Sequence, residues 1–315
     1  MNTVQNIAVI GAGLMGHGIA QEFAVAGFSV RLYDLTEEVL RQAMLRIEGN
    51  LKLLAAHGRI PETAVEPALK LIRTTPDLKE AVQDADIVIE AVFEDLPLKL
   101  RIFKELDDLC PAHTILASNT STFMPSLLAN ATQRPDRVII AHYFNPPYFV
   151  PLVEVVSSPH TSPETKTTII NILKQVGKHP VEIRKESPGF VANRLQAALI
   201  REAFAIVQEG VASPQEVDVV VRTGIGRRLA VAGPFEIAEA AGWDLWSAVA
   251  AQLVPTLSNS PEVPQLLIEQ VAKGELGVKS GKGFYTWGGE EVASLRRRMA
   301  FALLEMSGWD EKQKV

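Results

Sequence analysis

The residues best placed to do chemistry are a histidine and a glutamate, His142 and Glu154. His142 closes the apolar run that begins at Arg137, and Glu154 stands inside a second apolar run between Val153 and Val155. A carboxylate in such a strand is costly unless it has a partner. A histidine at a strand end and a glutamate in the following strand form a base and its orienter. The carboxylate fixes the imidazole tautomer and stabilises the cation formed when His142 takes a proton. The plainer alternative is a satisfied interior histidine with an edge-strand glutamate facing water. Pro146 forces Asn145 into an extended conformation and Pro147 does the same to Pro146, so the chain leaves the histidine on a stiff path.

What tilts the balance toward chemistry lies near the start of the chain. Ile7, Ala8, Val9 and Ile10 read as a buried parallel strand, and Gly11, Gly13 and Gly16 complete a G-x-G-x-x-G. An apolar-periodic helix carried by Ile19, Ala20, Phe23 and Ala24 follows. The first glycine permits the turn, the second lets backbone approach a pyrophosphate, and the third lets the helix sit close on the sheet with its N–H groups toward the anion. The next strand, Ser29–Tyr33, ends at Asp34, at about the ~20-residue spacing where an acid accepts hydrogen bonds from the adenosine ribose. Such an acid repels a ribose 2′-phosphate, and Leu35, Thr36 and Glu37 supply no cation for one, so the expected cofactor is NAD.

Other polar groups gather at strand ends, the edge where ligands sit in an open parallel sheet. Glu90 and Glu94 flank the end of a strand over Ile87–Val92, and Glu94 with Lys99 is a site candidate or a solvated loop pair. A strand Thr114–Ala117 leads into Ser118-Asn119-Thr120-Ser121-Thr122, where N-capping of a helix by Ser121 or Thr122 would account for one hydroxyl. Asn193 falls in the first turn of a helix, facing solvent or looking back toward the cleft. Arg227 and Arg228 follow a glycine turn at Gly224-Ile225-Gly226, as surface charge or as a site for an anion.

These residues are set in a chain of 315 residues with net charge −6, long enough for two domains and without a basic patch for nucleic acid or membrane. A single cysteine, Cys110, excludes an intrachain disulfide framework and suits a reducing cytosol; its expected role is to fill space at a helix end. No apolar run reaches membrane-spanning length and no signal peptide is indicated, so a cytoplasmic protein is expected. No metal is expected. Helical spacing over Glu37–His57 closes at Gly58, helices follow over Pro97–Leu109 and Glu164–Val176, and strands over Leu71–Thr74 and His179–Ile183. From Phe190 onward the pattern is wholly helical. The expected fold is α/β, a Rossmann-type doubly wound sheet over residues 1–186 followed by an all-helical domain over 187–315. The helix Phe190–Gln208 is apolar around most of its circumference, which predicts burial on several sides and a subunit contact.

Taken together, the motifs resemble the 3-hydroxyacyl-CoA dehydrogenase family over nearly the whole chain. They are G-A-G-L-M-G, I-V-I-E-A-V-F-E, S-N-T-S, H-Y-F-N-P with L-V-E-V-V, S-P-G-F-V-A-N-R, G-P-F-E and G-K-G-F-Y, in that order. The resemblance implies a doubly wound nucleotide domain followed by a helical domain that forms homodimers. It implies His142 as catalytic base, Glu154 as its orienter, Ser121 on the reacting oxygen and Asn193 at the substrate, with Glu94, Lys99 and Asn145 on the cofactor side. The implied reaction is reversible oxidation of a 3-hydroxyl, and short-chain L-3-hydroxyacyl-CoA is the commoner substrate in the family. Pro147-Tyr148-Phe149-Val150-Pro151 departs from the acyl-CoA members and looks more like the lambda-crystallin and L-gulonate dehydrogenase branch, as does Arg228 after its glycine turn. An arginine there suits a free carboxylate. Against this, Lys52, His57 and Arg59 lie on the second helical segment, where CoA-binding members place cations. A crystallin-like protein that binds NAD without catalysis is the remaining alternative.

Overall fold

The computed structural model describes residues 4–312. The first part of the chain alternates strands and helices: β1 (Asn6–Ile10), α1 (Gly16–Val25), β2 (Ser29–Tyr33), α2 (Glu37–Ala56), α3 (Val65–Leu71), β3 (Ile72–Thr75), α4 (Leu78–Val82), β4 (Ile87–Glu90), α5 (Leu96–Leu109), β5 (Ile115–Ser118) and α6 (Pro125–Ala129). It continues with β6 (Val138–Tyr143), β7 (Leu152–Ser157), α7 (Pro163–Gln175) and β8 (His179–Ile183). The strands form one sheet in the order β3-β2-β1-β4-β5-β6-β7-β8, parallel throughout except for the antiparallel pair β6 and β7. Chain order reverses between β1 and β4, and the glycine turn after β1 opens at that switch point.

Both faces of the sheet are covered, which is why its strands read as apolar runs without alternation. Ile7, Val9, Ile89, Ile139 and Val155 point to one side and pack with Phe23 of α1, Ile47 of α2 and Ile169 of α7. Ala8, Ile10, Val88, Leu116 and Ile140 point to the other and pack with Val82 of α4, Phe103 of α5 and Leu128 of α6. Cys110 ends α5 in the second cluster, and burial pushes its thiol up to about 12, so it packs as an apolar side chain and stays protonated. The short helices α4 and α6 were not foreseen; each spans five residues, too few for a periodic signal.

The remainder is helical: α8 (Ala192–Gln208), α9 (Pro214–Val220), α10 (Gly226–Leu229), α11 (Pro234–Ala241), α12 (Trp243–Leu253), α13 (Gln265–Ala272) and α14 (Gly289–Lys312). Contacts divide the chain into one unit reaching Val191 that also includes the residues from Met299 onward, and a second unit over Ala192–Arg298. Helix α8 carries no buried residue within the single chain, where Leu195, Leu199 and Ile200 are exposed. No described helix is long and apolar enough to cross a membrane.

Candidate active site

The glycine turn is shaped as its spacing requires. Gly11 has φ +102°, and a Cβ there would lie 2.7 Å from the Ala91 carbonyl oxygen; a Cβ on Gly16 would lie 1.7 Å from the Gly11 oxygen. Gly13 differs, because a Cβ on it would meet nothing within 4 Å. Open space over that backbone is what the approach of a pyrophosphate needs. Asp34 turns back to this loop: one carboxylate oxygen accepts from the Ala12 N–H at 2.7 Å, the other from the Leu35 N–H at 2.7 Å. It lines the same cleft as Gly11, Gly13 and Leu35, so the residues fit a dinucleotide.

That cleft holds about 590 Å³ and continues past Glu94, Ser121 and Asn145 to His142. His142 and Glu154 are direct cross-strand partners on β6 and β7. Their side chains meet with Nδ1 2.9 Å from Glu154 Oε2, and both residues are buried. A carboxylate only accepts, so Nδ1 carries the proton and Nε2 is left as the basic nitrogen. The other oxygen of Glu154 accepts from the Val191 N–H at 3.0 Å. Glu154 lies between β6 and β8, away from any edge, and the water-facing alternative does not hold.

Two aromatic rings confine the imidazole: Phe144 at 4.5 Å and Phe190 at 5.7 Å between centroids. Neither was picked out from the sequence. Phe190 has φ +51°, unusual for a residue with a Cβ, and this turn after Pro188-Gly189 puts its ring on His142 and the next N–H on Glu154. The Ser-Pro-Gly break in the pattern was the available signal.

Glu94 and Lys99 form no solvated loop pair. Lys99 is 1% exposed and its Nζ donates to Glu90 Oε1 at 2.7 Å and to the Val92 carbonyl at 3.3 Å, with Glu94 at 3.4 Å. Glu90 is fully buried and also accepts from the Ser118 hydroxyl at 2.5 Å. The sequence marks Glu90 only as a polar residue at a strand end, and its bonds to Lys99 and Ser118 come from the fold. Lys99 thus supports the cleft floor from beneath, while Glu94 lines the cleft. One oxygen of Glu94 gathers the Thr120 hydroxyl at 2.6 Å, the Ser121 N–H at 2.9 Å, and the Thr122 N–H and hydroxyl at 3.0 and 2.8 Å. Burial alone would raise this carboxyl; the Thr120 and Thr122 hydroxyls, Lys99 and the Ser121 amide outweigh it and hold the group below the usual range. N-capping by Ser121 or Thr122 is not seen, because α6 starts at Pro125 after an uncapped Met124. Ser121 lines the cleft instead, its hydroxyl 3.3 Å from the same Glu94 oxygen. Asn119 accepts from the Tyr143 N–H at 2.8 Å and ties this loop to the strand of His142.

Asn193 and Arg228 belong to the helical unit, Asn193 in the first turn of α8 and Arg228 exposed on α10. Among the described residues no cluster of three or more His, Cys, Asp or Glu side chains could hold a metal.

A nucleotide turn that leads to a carboxylate-oriented histidine defines an NAD-dependent dehydrogenase acting on a CH–OH group. The chain belongs to the 3-hydroxyacyl-CoA dehydrogenase family: residues 6–187 match its NAD binding domain and residues 189–287 its C-terminal domain. A Bacillus subtilis (strain 168) relative named "Probable 3-hydroxybutyryl-CoA dehydrogenase" is 41% identical over 285 residues, 90% of this chain and 98% of that protein. The human lambda-crystallin homolog is 41% identical over 231 residues, 73% of this chain and 72% of its own. Among solved structures, an NAD+-dependent 5-formyl-3-hydroxy-2-methylpyridine 4-carboxylic acid 5-dehydrogenase, described as a dismutase, has a TM-score of 0.91 at 34% identity. It covers 97% of this chain and 98% of its own.

Proposed function

We propose that the protein reversibly oxidises the 3-hydroxyl of a small 3-hydroxyacyl substrate, with His142 as the base. The observation that carries this reading is the buried His142–Glu154 pair, its free imidazole nitrogen on the cleft that begins at the glycine turn. Gly11, Gly13, Gly16, Asp34, Glu94 and Asn145 would hold NAD, with Lys99 supporting Glu94 from below. NAD held there would supply the hydride acceptor, or in reverse the donor, for the carbinol carbon. His142 Nε2 takes the hydroxyl proton, the Glu154 carboxylate stabilises the resulting imidazolium, and the Ser121 hydroxyl donates to the reacting oxygen. Asn193 completes the substrate contacts in this reading. In the reverse direction His142 returns its proton to the developing alkoxide. A buried glutamate paired to a histidine has no use in a crystallin-like binder, which argues against the non-catalytic alternative.

Two carriers of the acyl group have support. The Bacillus relative's name favours a short-chain L-3-hydroxyacyl-CoA, which would place the protein in fatty acid metabolism. The Pro147–Pro151 departure and the pyridine carboxylate in the name of the TM-score 0.91 relative favour a free carboxylate, with Arg228 as its partner. We assign the protein to the cytoplasm, as its single, unpaired and buried cysteine suits, and to a homodimer through the exposed apolar face of α8. The test is NADH oxidation with acetoacetyl-CoA beside NAD reduction with L-gulonate, L-carnitine and free 3-hydroxybutyrate. Turnover of at least one supports the reading, and turnover of none by protein that binds NAD defeats it. For a free acid, Arg228→Met raises KM; an unchanged KM removes Arg228 from the site.

A further inference from the structure

The loop that joins the strand of His142 to the strand of Glu154 runs from Phe144 to Pro151, F-N-P-P-Y-F-V-P. Three of its eight residues are proline and bring no N–H, so carbonyls turned inward must find donors elsewhere. Within the loop, the Phe149 and Val150 N–H groups both donate to the Pro146 carbonyl, at 3.1 and 3.0 Å. The Pro147, Val150 and Pro151 carbonyls are met by two consecutive residues from outside it. The His179 N–H donates to Pro151 at 2.9 Å, and Lys178 Nζ donates to Pro147 at 2.5 Å and reaches the Val150 oxygen at 3.5 Å.

Lys178 stands between α7 and β8. Gly177, at φ +78°, turns the chain out of the helix, and the Lys178 N–H bonds back to the Leu173 carbonyl at 2.9 Å. Its side chain is 4% exposed, and its ammonium also pairs with Glu22 of α1, itself largely buried. An ammonium has three N–H donors, and the Glu22 carboxylate with the two carbonyls makes three acceptors. Neutralising a buried charge would need Glu22 alone; here the same cation also holds two carbonyls of one loop.

The far side of that loop rests on α1, the helix that opens at the glycine turn. A Cβ on Gly18 would lie 3.1 Å from Pro147 and 3.2 Å from the Tyr148 ring, and Leu304 of α14 packs on Phe149. Its first residues face the chemistry. Phe144 and Asn145 line the cleft with His142, and the Phe144 ring lies 4.5 Å from the imidazole.

We infer that Lys178 is a positioning residue: its ammonium, balanced by Glu22, clamps the Phe144–Pro151 loop to α1 and through the loop sets Phe144 and Asn145 beside His142. The inference rests on the dehydrogenase reading above and adds to it a residue that touches neither cofactor nor substrate. Without the cation, the Pro147 and Val150 carbonyls lose their donor, and the loop shifts to find another. A displacement of about 1 Å near reacting groups is enough to cost roughly 10²-fold in rate.

The test compares the full-length wild type with the double variant Lys178→Met/Glu22→Met, which removes both charges together so that neither is left buried alone. The double variant should bind NAD in full stoichiometry with affinity within about threefold of wild type, while kcat per NAD-binding site falls about 10- to 100-fold. Loss of stability alone would leave kcat per binding site unchanged. The His142 ring-proton resonances, assigned by their loss in His142→Ala, should shift as the Phe144 ring moves; this readout needs no substrate. Glu22→Gln leaves the ammonium on the carbonyls and should keep both kcat and the His142 resonances. A folded double variant with wild-type kcat and unmoved resonances overturns the clamp, and so does Glu22→Gln behaving like the double variant. In the wild type, the Phe149 and Val150 amides should exchange as slowly as those of β6. Fast exchange there overturns the clamp whether or not the double variant folds. Failure of the dehydrogenase reading appears separately, as no hydride transfer by NAD-bound wild type with any substrate while the His142 resonances still respond to Lys178.

Discussion

The nucleotide unit and the helical unit solve burial in opposite ways. In the first, the central strands are closed to solvent, and the charged groups buried at the site are matched: Glu154 to His142 and Val191, Lys99 to Glu90 and Glu94. Across Ala192–Arg298, Ala238 is the one buried hydrophobic side chain among the described residues, while Leu195, Leu199, Val220, Phe235, Trp243 and Leu253 are exposed. A sheet covered on two faces supplies its own partners, whereas short helices with apolar faces on more than one side do not. The difference teaches that the catalytic pair is preorganised by its own unit. The helical unit presents apolar surface of the kind that subunit contacts bury.

The comparison can be broken most severely at the histidine. His142→Ala should lower kcat by roughly 10²–10⁴-fold with NAD affinity retained, read by steady-state NAD reduction and by NAD titration. Loss of NAD binding in step would show that the pair is structural. Within the packed unit, Ile139→Ala, a fully buried strand residue, should cost about 2–5 kcal/mol in denaturant unfolding. Leu199→Ala on α8 should cost well under that in dilute protein and instead weaken self-association, measured by sedimentation across a concentration series. Equal losses at the two positions would erase the contrast. Asp34→Ala should weaken NAD binding by roughly 10-fold or more, as expected for hydrogen bonds to a charged group.

The smallest effect concerns Glu94. Its folded carboxyl lies below the ordinary value, so the stability it gives the Thr120–Thr122 loop is fully present above that value. It is lost as pH falls through the lowered one, which puts the loss below about pH 4.5. Amide exchange at Ser121 and Thr122 should accelerate in that window, and Glu94→Gln should remove the acid dependence. A loop insensitive to acid would mean that the hydroxyl and amide contacts need no charge.

Most of the fold was legible because its signals are local. An apolar run marked β1, short segments with apolar residues at alternate positions marked β2 and β8, the glycine spacing marked the turn, and period-3.6 spacing marked α2 and α7. Glu154 drew notice because a charge in an apolar strand demands an explanation. Lys99 stood out only as a site candidate paired with Glu94; its burial and its bond to Glu90 follow from where β4 ends and what Glu90 needs. Phe144 and Phe190 were equally silent: Phe190 is far from His142 in sequence, and Phe144, two residues on, gives no sign from the sequence that its ring turns onto the imidazole.

The sequence by itself determined the cofactor class, the order of strand and helix, and the residue types of the catalytic pair, because turn geometry, ribose recognition and side-chain period act over short stretches. Only the tertiary structure decided that His142 and Glu154 stand opposite each other across an antiparallel pair in an otherwise parallel sheet. It alone showed that a single oxygen of Glu94 gathers the loop of Ser121, and that the last helix returns to cover Phe149. Each of these joins residues distant in the chain. Which of many compatible partners a side chain meets is fixed by packing, whose energy is shared across the whole unit rather than carried by any short run of residues.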